Sequence, residues 1–316
     1  MTAAQQLFSR GDSILDNYES HILIGGASGY GKSFLLMQLC AARLRDPRFG
    51  LHLVDPDGEV AQFLFEYVAN PGNGISWRTL HYLQPASPSE TFGLSLLHVD
   101  ERTPQNCHEA AIRTRTIFEQ VLSFGTGDYG PRLSKLFQLG CYGLALAGRP
   151  LVDLPELFTL GAARVRELIG ESYPYQFMTN EWRALDVLSE RSPTRFLEYT
   201  ESITSRLMPT FGNPRLRRIF GQTEGIDLAR ILAAREAVIL DLSGLEHKDA
   251  VLIGTSYISL LFHEALKRPP RTAPRAFVAI DEVFDYMTDD LARAFDRLRK
   301  RNIQLCVAIQ RLGQLQ

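Results

Sequence analysis

A glycine-rich stretch near the N-terminus, GGASGYGKSF at residues 25–34, constrains the fold of this chain more than any other feature. It follows an apolar run, Ile22-Leu23-Ile24, and precedes a segment of helical character that begins at Leu35. The spacing of its glycines, lysine and serine matches the GxxxxGK[ST] pattern of a phosphate-binding loop. The pattern comprises Gly26, Ala27, Ser28, Gly29, Tyr30, Gly31, Lys32 and Ser33.

Each fixed position of this loop has a chemical reason. Glycines let consecutive backbone N–H groups turn towards phosphate, and the positive N-terminal end of the following helix adds to the attraction. Lys32 can reach the β- and γ-phosphates, and the hydroxyl of Ser33 can ligate Mg²⁺. The alternative is an ordinary glycine-rich turn. The strand before the loop and the helix after it favour a nucleotide site, with ATP and Mg²⁺ as the expected ligands.

The composition is that of a globular protein with two domains, or with one domain and an insertion. The chain has 316 residues, of which 45% are hydrophobic and 22% charged, and its formal net charge is −2. That charge offers no general attraction to nucleic acid, so any nucleic-acid surface must be local. No apolar run approaches the roughly 20 residues that span a bilayer, and the start lacks the apolar core of a secretory signal. We therefore expect a cytoplasmic protein.

Cysteine and histidine residues are scattered along the chain. The four cysteines form no CxxC pair, and Cys40 and Cys306 lie in apolar segments, which predicts that both are small buried hydrophobic residues. The seven histidines form no cluster with cysteine, so no structural zinc site is expected.

Short apolar runs alternate with helical segments at both ends of the chain, which predicts a parallel sheet with crossover helices. Strands are predicted at 21–24, 51–54, 79–83, 237–240, 277–280 and 303–309. Helices are predicted at 32–44, about 249–267 and about 289–301.

The middle of the chain has a different pattern. Apolar residues recur there at helical spacing, and loop signals such as Gly212-Asn213-Pro214 separate the segments. The sequence therefore predicts an α/β P-loop NTPase fold, with a mostly parallel sheet flanked by helices and interrupted by an all-helical insertion. The predicted ATPase domain comprises 1–104 and 228–316, and the insertion comprises 105–227.

A second candidate site is the segment FVAIDE, where four apolar residues end in Asp281 and Glu282. In a parallel sheet such a run is a buried strand whose C-terminal end faces the nucleotide. Asp281 would then help to hold Mg²⁺, and Glu282 would orient and deprotonate the attacking water. The alternative is a buried strand followed by a solvated acidic turn. The phosphate-binding loop upstream favours the catalytic interpretation, and the second carboxylate favours hydrolysis of ATP over phosphoryl transfer to another substrate.

A third candidate site combines a basic segment with an apolar run at residues 298–310. Gln310 ends the run, where it can sense the γ-phosphate or the attacking water; the alternative is an ordinary surface amide. Arg299 and Arg301 precede the run, and a simpler role for both is to cap the C-terminus of a helix, where positive charge is favourable.

Taken in order, these segments resemble the HerA–FtsK superfamily of ring ATPases. Within it, the chain is most similar to HerA-like and conjugative type IV secretion ATPases and coupling proteins. The resemblance rests on GASGYGKS, LVDPDGE, FVAIDE and RKRNIQLCVAIQ, and extends over most of the chain, from about residue 21 to residue 310. The DPDGE turn, combined with the final basic segment, strand and glutamine, is its most diagnostic part.

The resemblance implies a RecA-like (ASCE) motor domain and gives roles to individual residues. Lys32 and Ser33 match the Walker A lysine and the Mg²⁺-binding hydroxyl of the family. Asp281 and Glu282 match the Walker B pair, and Gln310 matches the sensor glutamine.

Arg299 matches an arginine that enters the ATP site of the neighbouring subunit in this family. The match is looser than for the other segments, because the family usually has glycine where this chain has Leu298, and usually another glycine near Asn302. Arg301 is therefore an alternative candidate for the same role. An arginine supplied in this way implies a homo-oligomeric ring, with a hexamer expected, that moves along a polymer.

The resemblance also implies partners and a location. DNA is the expected cargo, and a membrane-associated secretion complex would place the protein at the periphery of the inner membrane. Coupling proteins usually begin with membrane-spanning helices and HerA proteins with a small β-barrel, and this sequence shows neither. The family also normally continues beyond the position of Gln310, six residues before the end of this chain.

Three functions remain open at this point. The leading one is a ring ATPase that translocates DNA in transfer, processing or defence. The second is a secretion-type ATPase that drives export or assembly of protein without DNA contact. The third is a scaffold that binds ATP but hydrolyses it negligibly.

The insertion contains basic residues that are candidates for contact with DNA phosphates. Basic helix faces are more often simply solvated, and Trp77 and Trp182 are interpreted as packing residues rather than base-stacking platforms. The basic candidates are Arg113, Arg115, Arg132, Lys135, Arg215, Arg217 and Arg218.

Overall fold

A computed structural model describes residues 20–27, 29–75, 77–89, 92–123, 130–287, 295 and 297–309. The chain divides into two compact units, which we call the sheet unit (1–90 and 227–316) and the helical unit (91–226). The described helices are α1 (Lys32–Arg45), α2 (Glu59–Ala69), α3 (Pro104–Ser123), α4 (Pro131–Ala147), α5 (Ala163–Gly170), α6 (Gln176–Arg191), α7 (Pro193–Phe211), α8 (Pro214–Phe220), α9 (Leu228–Ala234) and α10 (His247–Lys267).

The described strands of the sheet unit form one six-stranded sheet in the order β1-β6-β5-β2-β4-β3. All neighbouring strands pair in parallel, so the predicted α/β fold class with a parallel sheet is confirmed. The strands are β1 (Ile22–Gly25), β2 (Phe49–Asp55), β3 (Leu80–Leu83), β4 (Ala237–Asp241), β5 (Arg275–Ile280) and β6 (Ile303–Ile309).

Helices cover both faces of this sheet. Strand residues alternate between the faces, and the set that includes Leu51, Ile239 and Phe277 packs against α1 and α2 in one buried cluster. On the opposite face, the Nδ1 atom of His52 lies 2.7 Å from the hydroxyl of Tyr257 in α10. Burial lowers the pKa of His52 to about 3, so this imidazole is neutral and forms part of the core. Double-sided burial explains why these strands are almost continuously apolar.

The helical unit has its own aromatic core. The rings of Phe118 and Phe137 lie 5.2 Å apart between centroids, and those of Phe118 and Phe211 lie 5.8 Å apart. The regular elements among the described residues of this unit are α3 to α8 and the 3₁₀ segment Leu151–Phe158, in agreement with the predicted all-helical insertion.

The two tryptophans were predicted to be packing residues. Trp182 is buried, and its indole N–H donates to the Tyr173 hydroxyl at 2.9 Å. Trp77, in the sheet unit, is 53% exposed, so the prediction is wrong for this residue.

The helical unit begins before residue 105, the predicted start of the insertion. The amide of Leu94 donates to the carbonyl of Ile219, and the amide of Ile226 donates to the carbonyl of Gly93, both at 2.9 Å. These bonds join the segment around Leu94, which precedes α3, to the end of the helical unit.

The helix predicted at 289–301 falls largely on residues 288–294 and 296, outside the described ranges.

Arg78 holds together the edge of the sheet at which the strands begin. Its buried guanidinium donates to the carbonyls of Arg43, Leu44 and Asp46, at the end of α1, with the shortest of these bonds at 2.8 Å. It also donates to the carbonyls of Phe49 at 2.7 Å and Arg235 at 2.8 Å. One side chain therefore supplies the hydrogen bonds that helix-terminal carbonyls lack, and joins the starts of β2 and β4 to the end of α1.

Replacement of Arg78 by alanine should therefore destabilise the sheet unit by roughly 3–5 kcal/mol, because several buried carbonyls lose their donor at once. Arg78→Lys should recover only a small part, since an ammonium lacks the planar fork. Urea unfolding followed by circular dichroism measures the effect, with the exposed Lys248→Ala as the control. An Arg78→Ala midpoint equal to that of the control would contradict this role.

Candidate nucleotide-binding site

The phosphate-binding loop connects the end of β1 to the start of α1. Gly31, a fixed glycine of the pattern, and Gly29, at one of its variable positions, both have φ +81°, a backbone conformation that other residues rarely adopt, which explains why glycine occupies these two positions. The amide of Gly26 donates to the carbonyl of Ile309 at 3.3 Å, so the loop starts beside the end of β6. The Lys32 ammonium donates to the carbonyl of Ala27 at 3.2 Å, within the loop itself. Ser28 lies outside the described residues.

The N-terminus of α1 is suited to an anion. Gly31 precedes the helix, no side chain caps it, and its first turn contains no acidic residue. Lys32 and Ser33, both partly exposed, are the first two residues of the helix. Uncapped N–H groups, the helix dipole and a lysine therefore converge at one point, which is the arrangement that binds phosphate. Tyr30, in the middle of the loop, is 83% exposed.

Asp281 follows β5 on the same edge of the sheet as this loop. Ile280 is paired with Val307 of β6, and Ala308 is paired with Ile24 of β1. Only β6 separates β5 from β1, so the Cα atoms of Asp281 and Ile24 lie about 10 Å apart, two strand spacings. The Asp281 amide donates to the Val54 carbonyl at 3.1 Å, which holds the residue against β2.

The Asp281 carboxylate lies in an environment that disfavours its charged form. It is only 4% exposed, and burial, followed by the charge of Asp55 and the neighbouring Glu282 and Asp57, raises its pKa from the ordinary 3.8 to about 6. Among the described residues, the one hydrogen-bond donor to this carboxylate is the Glu282 amide, at 3.0 Å. A divalent cation held here would relieve this unfavourable burial, so the donor chemistry fits Mg²⁺.

Glu282 is held by an unusual backbone conformation. Its φ is +50°, rare for glutamate, and it precedes the 3₁₀ turn Val283–Tyr286. Tyr286 is buried against Gly254 of α10, where an added Cβ would come within 2.4 Å of the tyrosine ring. The Tyr286–Gly254 contact fixes the turn and thereby the direction in which Glu282 leaves the strand. Strained residues of this kind are concentrated at functional sites.

The DPDGE turn after β2 forms part of the same edge. Asp55 accepts hydrogen bonds from the amides of Asp57 at 3.1 Å and Ala61 at 2.8 Å, and so fixes the turn and the start of α2. Gly58 has φ +81° and lies so close to Ser243 that an added Cβ would be 2.7 Å from the serine Cβ. The turn therefore joins the end of β2 to the end of β4, a contact between distant segments that no local sequence pattern predicts.

Asp241 ends β4 beside Asp55, to which it is paired in register. Its carboxylate accepts from the Tyr82 hydroxyl at 2.7 Å, from the Gln84 amide at 3.2 Å and from the Ser243 amide at 3.0 Å. Asp241 is therefore a satisfied buried carboxylate with a structural role, in contrast to Asp281.

The remaining predicted site residues lie elsewhere or outside the described ranges. Gln310 is not described, although its predecessor Ile309 accepts from Gly26 as noted above. Arg299 is exposed and precedes β6, at the opposite edge of the sheet from Lys32. Since β6 has seven residues, roughly 20 Å of strand separates Arg299 from the loop. Arg301, the alternative candidate for the arginine that acts on a neighbouring subunit, donates from its guanidinium to the Arg268 carbonyl within the same chain.

Several basic residues proposed for DNA contact have partners within the helical unit. The Arg115 guanidinium donates to the Gln138 amide oxygen at 2.5 Å, and Lys135 forms an ion pair with Glu181 at 2.9 Å. Arg113 and Arg217 each donate to a backbone carbonyl, and the Arg132 guanidinium lies over the Tyr199 ring. These contacts agree with the simpler interpretation of solvated, locally paired helix faces. Arg215 and Arg218 are partly exposed.

The raised pKa of Asp281 predicts a pH-dependent gain in stability on its replacement by asparagine. In nucleotide-free protein without divalent cations, ionised Asp281 destabilises the fold above pH 6, and this cost fades as the pH falls towards 4. Asp281→Asn should therefore be more stable than the parent protein at pH 8, by up to about 3 kcal/mol, and nearly equal to it near pH 4. Thermal unfolding at both pH values measures the difference, and a variant less stable at pH 8 would contradict it.

Comparison with known proteins gives matches at the level of structure. No family model matches the chain, and no curated protein matches its sequence. The bacterial conjugative coupling protein TrwB, in its unbound monoclinic form, superposes with a TM-score of 0.61 over 95% of this chain and 64% of TrwB, at 16% identity. TrwB in complex with ADP and Mg²⁺ superposes equally well, over 95% of this chain and 66% of TrwB.

A second neighbour is VirB4 of Thermoanaerobacter pseudethanolicus, with a TM-score of 0.55 and 15% identity over 93% of this chain and 71% of VirB4. The chain thus spans slightly less than two thirds of the length of TrwB. Among the described residues, no helix has both the length and the apolar character needed to cross a membrane. The chain has the P-loop NTPase fold that the sequence predicted, and it shares that fold with TrwB and VirB4.

Proposed function

We propose that this chain is a ring-forming ATPase that couples ATP hydrolysis to the translocation of DNA. The observation that carries the proposal is the convergence of the Lys32 loop and the tip of β5 on one edge of the sheet, with only β6 between their strands. A phosphate cradle and a buried carboxylate at that separation form the two halves of a site for ATP and Mg²⁺. The fold shared with TrwB, a protein known in complex with ADP and Mg²⁺, supports it.

The residues of the loop would bind and orient the triphosphate. The N–H groups of residues 26–33 and the start of α1 would contact the phosphate oxygens, and the Lys32 ammonium would exchange the Ala27 carbonyl for them. Ser33 and Asp281 would hold Mg²⁺, which supplies charge neutralisation when bound. Among the described residues, no group of three or more His, Cys, Asp or Glu side chains is arranged to hold a metal ion. Binding of Mg²⁺ would therefore depend on the nucleotide.

Glu282 would act as the general base. It is partly exposed at the tip of β5, next to the residue proposed to hold the metal, and its backbone is fixed by the turn that Tyr286 anchors. A carboxylate in that position can accept a proton from water as the water attacks. Gln310 would orient the same water or contact the γ-phosphate.

Arg299 would act on the ATP site of a second subunit. At roughly 20 Å from the loop of its own chain, it cannot reach that chain's nucleotide, whereas a neighbour in a ring can present it. An arginine supplied in trans stabilises charge in the transition state, so assembly of the ring, for which we expect a hexamer, would control hydrolysis.

A second candidate function is a type IV secretion-type ATPase that powers protein export or assembly without contact to DNA. Two observations favour it: the structural similarity to VirB4, and the local partners of most basic residues in the helical unit. Either function would place the protein in the cytoplasm, where it would associate with a membrane-bound secretion complex.

Replacement of Glu282 by glutamine should separate binding from hydrolysis. The variant should bind ATP with near-wild-type affinity, because the amide keeps the shape of the side chain, while turnover falls by about 100-fold or more through loss of the base. Measurements of nucleotide affinity and phosphate release provide the test. Unchanged turnover would exclude Glu282 as the base.

Translocation of DNA predicts that DNA stimulates the ATPase. We expect phosphate release to rise on addition of single- or double-stranded DNA, and solution mass to show an oligomer when ATP is present. Stimulation should weaken as salt concentration rises, because phosphate contacts release counterions. An ATPase that is active but indifferent to both kinds of DNA would favour the secretion-type function instead.

A further inference from the structure

A cavity of about 340 Å³ lies within the helical unit, between α5 and α6. All of its lining residues belong to these two helices or to Glu171, which directly follows α5. Two of them, Ala163 and Gly170, are small, so their side chains leave the space between the helices open. The volume lies in the range of pockets that hold small molecules. No residue of the candidate nucleotide site lines this cavity, so it requires its own explanation.

One wall of the cavity contains a fully buried arginine. Arg166 is 0% exposed, and its Nε atom donates to the Asp186 carboxylate at 2.6 Å. Its Nη1 atom donates to the carbonyls of Leu157 at 2.9 Å and Thr159 at 3.0 Å. The third nitrogen, Nη2, is buried and has no hydrogen-bond partner in the described parts of the chain. Because buried guanidinium donors are normally satisfied, Nη2 is the nitrogen left for an acceptor in the cavity.

The same cavity is lined by unpaired charges of both signs. Arg183, Glu171 and Glu190 are exposed, and none of the three forms an ion pair with another described residue. The other charged residues of the wall pair with each other: Arg164 with Glu167 at 2.5 Å, and Arg166 with Asp186 at 2.6 Å. An occupant therefore meets free donors of two arginines and free carboxylates of two glutamates. Such a wall is complementary to a molecule that carries both charges.

The spacing of these charges sets the length of a matching molecule. Glu171 follows Arg166 by five residues, and Glu190 follows Arg183 by seven, which correspond to about 7.5 Å and about 10.5 Å along a helix axis. A basic amino acid in an extended conformation places its carboxylate and its side-chain cation at a separation close to the shorter of these distances. A carboxylate is also the planar acceptor that a guanidinium fork binds best.

We propose that this cavity binds a small zwitterion of the basic amino acid class, with a carboxylate at one end and a cation at the other. The carboxylate lies against Arg183 and the Nη2 atom of Arg166, and the cation lies against Glu171 or Glu190. The inference is independent of the proposed ATPase function, because no residue of the nucleotide site takes part in it.

Trp182 provides a direct readout of an occupant. It lines the cavity, and the chain has one other tryptophan, Trp77, which lies in the sheet unit. Replacement of Trp77 by phenylalanine leaves Trp182 as the single indole and keeps an aromatic ring beside Arg78. The full-length Trp77→Phe protein is titrated with L-arginine while the fluorescence of Trp182 is recorded. Agmatine, which lacks the carboxylate, and L-norvaline, which lacks the cation, are the comparison probes.

We expect L-arginine to change the fluorescence of Trp182 in a saturable way. Agmatine and L-norvaline should bind at least about tenfold more weakly, because each leaves one set of charges in the cavity without a partner.

In the same background, Arg183→Gln should weaken the binding of L-arginine by about tenfold, because it removes a charged donor to the carboxylate. Arg191→Gln is the matched control and should bind as the background protein does, since Arg191 is an exposed arginine of the same helix that does not line the cavity. The thermal midpoint of each variant is recorded so that misfolding is recognised.

Four results would overturn the inference. An unchanged Trp182 signal, with no heat of binding for L-arginine in calorimetry, would leave water as the occupant of the cavity. Agmatine that binds as tightly as L-arginine would remove the role given to the carboxylate, and L-norvaline that does so would remove the role of the cation. Equal weakening by Arg183→Gln and Arg191→Gln would indicate general charge attraction to α6 rather than binding in this cavity.

Discussion

The buried carboxylate of Asp281 is the constraint on which the rest of the site depends. Burial beside Asp55 raises its pKa to about 6, so at neutral pH the fold carries an ionised group in an unfavourable position. Asp241, at the tip of β4, accepts hydrogen bonds from three donors. Asp281, by contrast, accepts one hydrogen bond among the described residues, from the amide of Glu282. Its burial therefore costs stability at the point where we propose that a cation binds.

The parallel sheet separates charge between its two edges. Strands end at the carboxylates of Asp55, Asp241 and Asp281, whereas the segments that lead into them contain Arg235 and Arg271. Arg78 lies buried at the basic edge, where it donates hydrogen bonds to carbonyls at the end of α1 and at the start of β2. A subunit with one acidic and one basic edge is suited to head-to-tail association, in which each copy uses both edges. That property links the fold to the proposed ring.

Local patterns predicted the elements of the sheet unit well. The apolar runs at β5 and β6 and the glycine pattern before α1 each depend on a few consecutive residues, which explains why their positions agree with the structure within one or two residues. Arg78 gave no such signal, because an arginine in a loop is common and its five carbonyl partners lie between 29 and 157 positions away along the chain. The exposure of Trp77 likewise depends on which other segments cover it, so the sequence around it predicted its packing wrongly.

The amino-acid sequence by itself determined the chemical inventory of this protein: a phosphate-binding loop, a strand that ends in two carboxylates, and the alternation that requires a parallel sheet. Those are properties of short segments, and periodicity and side-chain chemistry suffice to recognise them. Only the tertiary structure decided that β6 lies between β1 and β5, and that Arg299 lies at the opposite edge of the sheet from Lys32. It also decided that the Asp281 carboxyl is buried next to other carboxylates, where its charged form is unfavourable. Strand order and burial arise from contacts between residues far apart in the chain, which no local pattern contains.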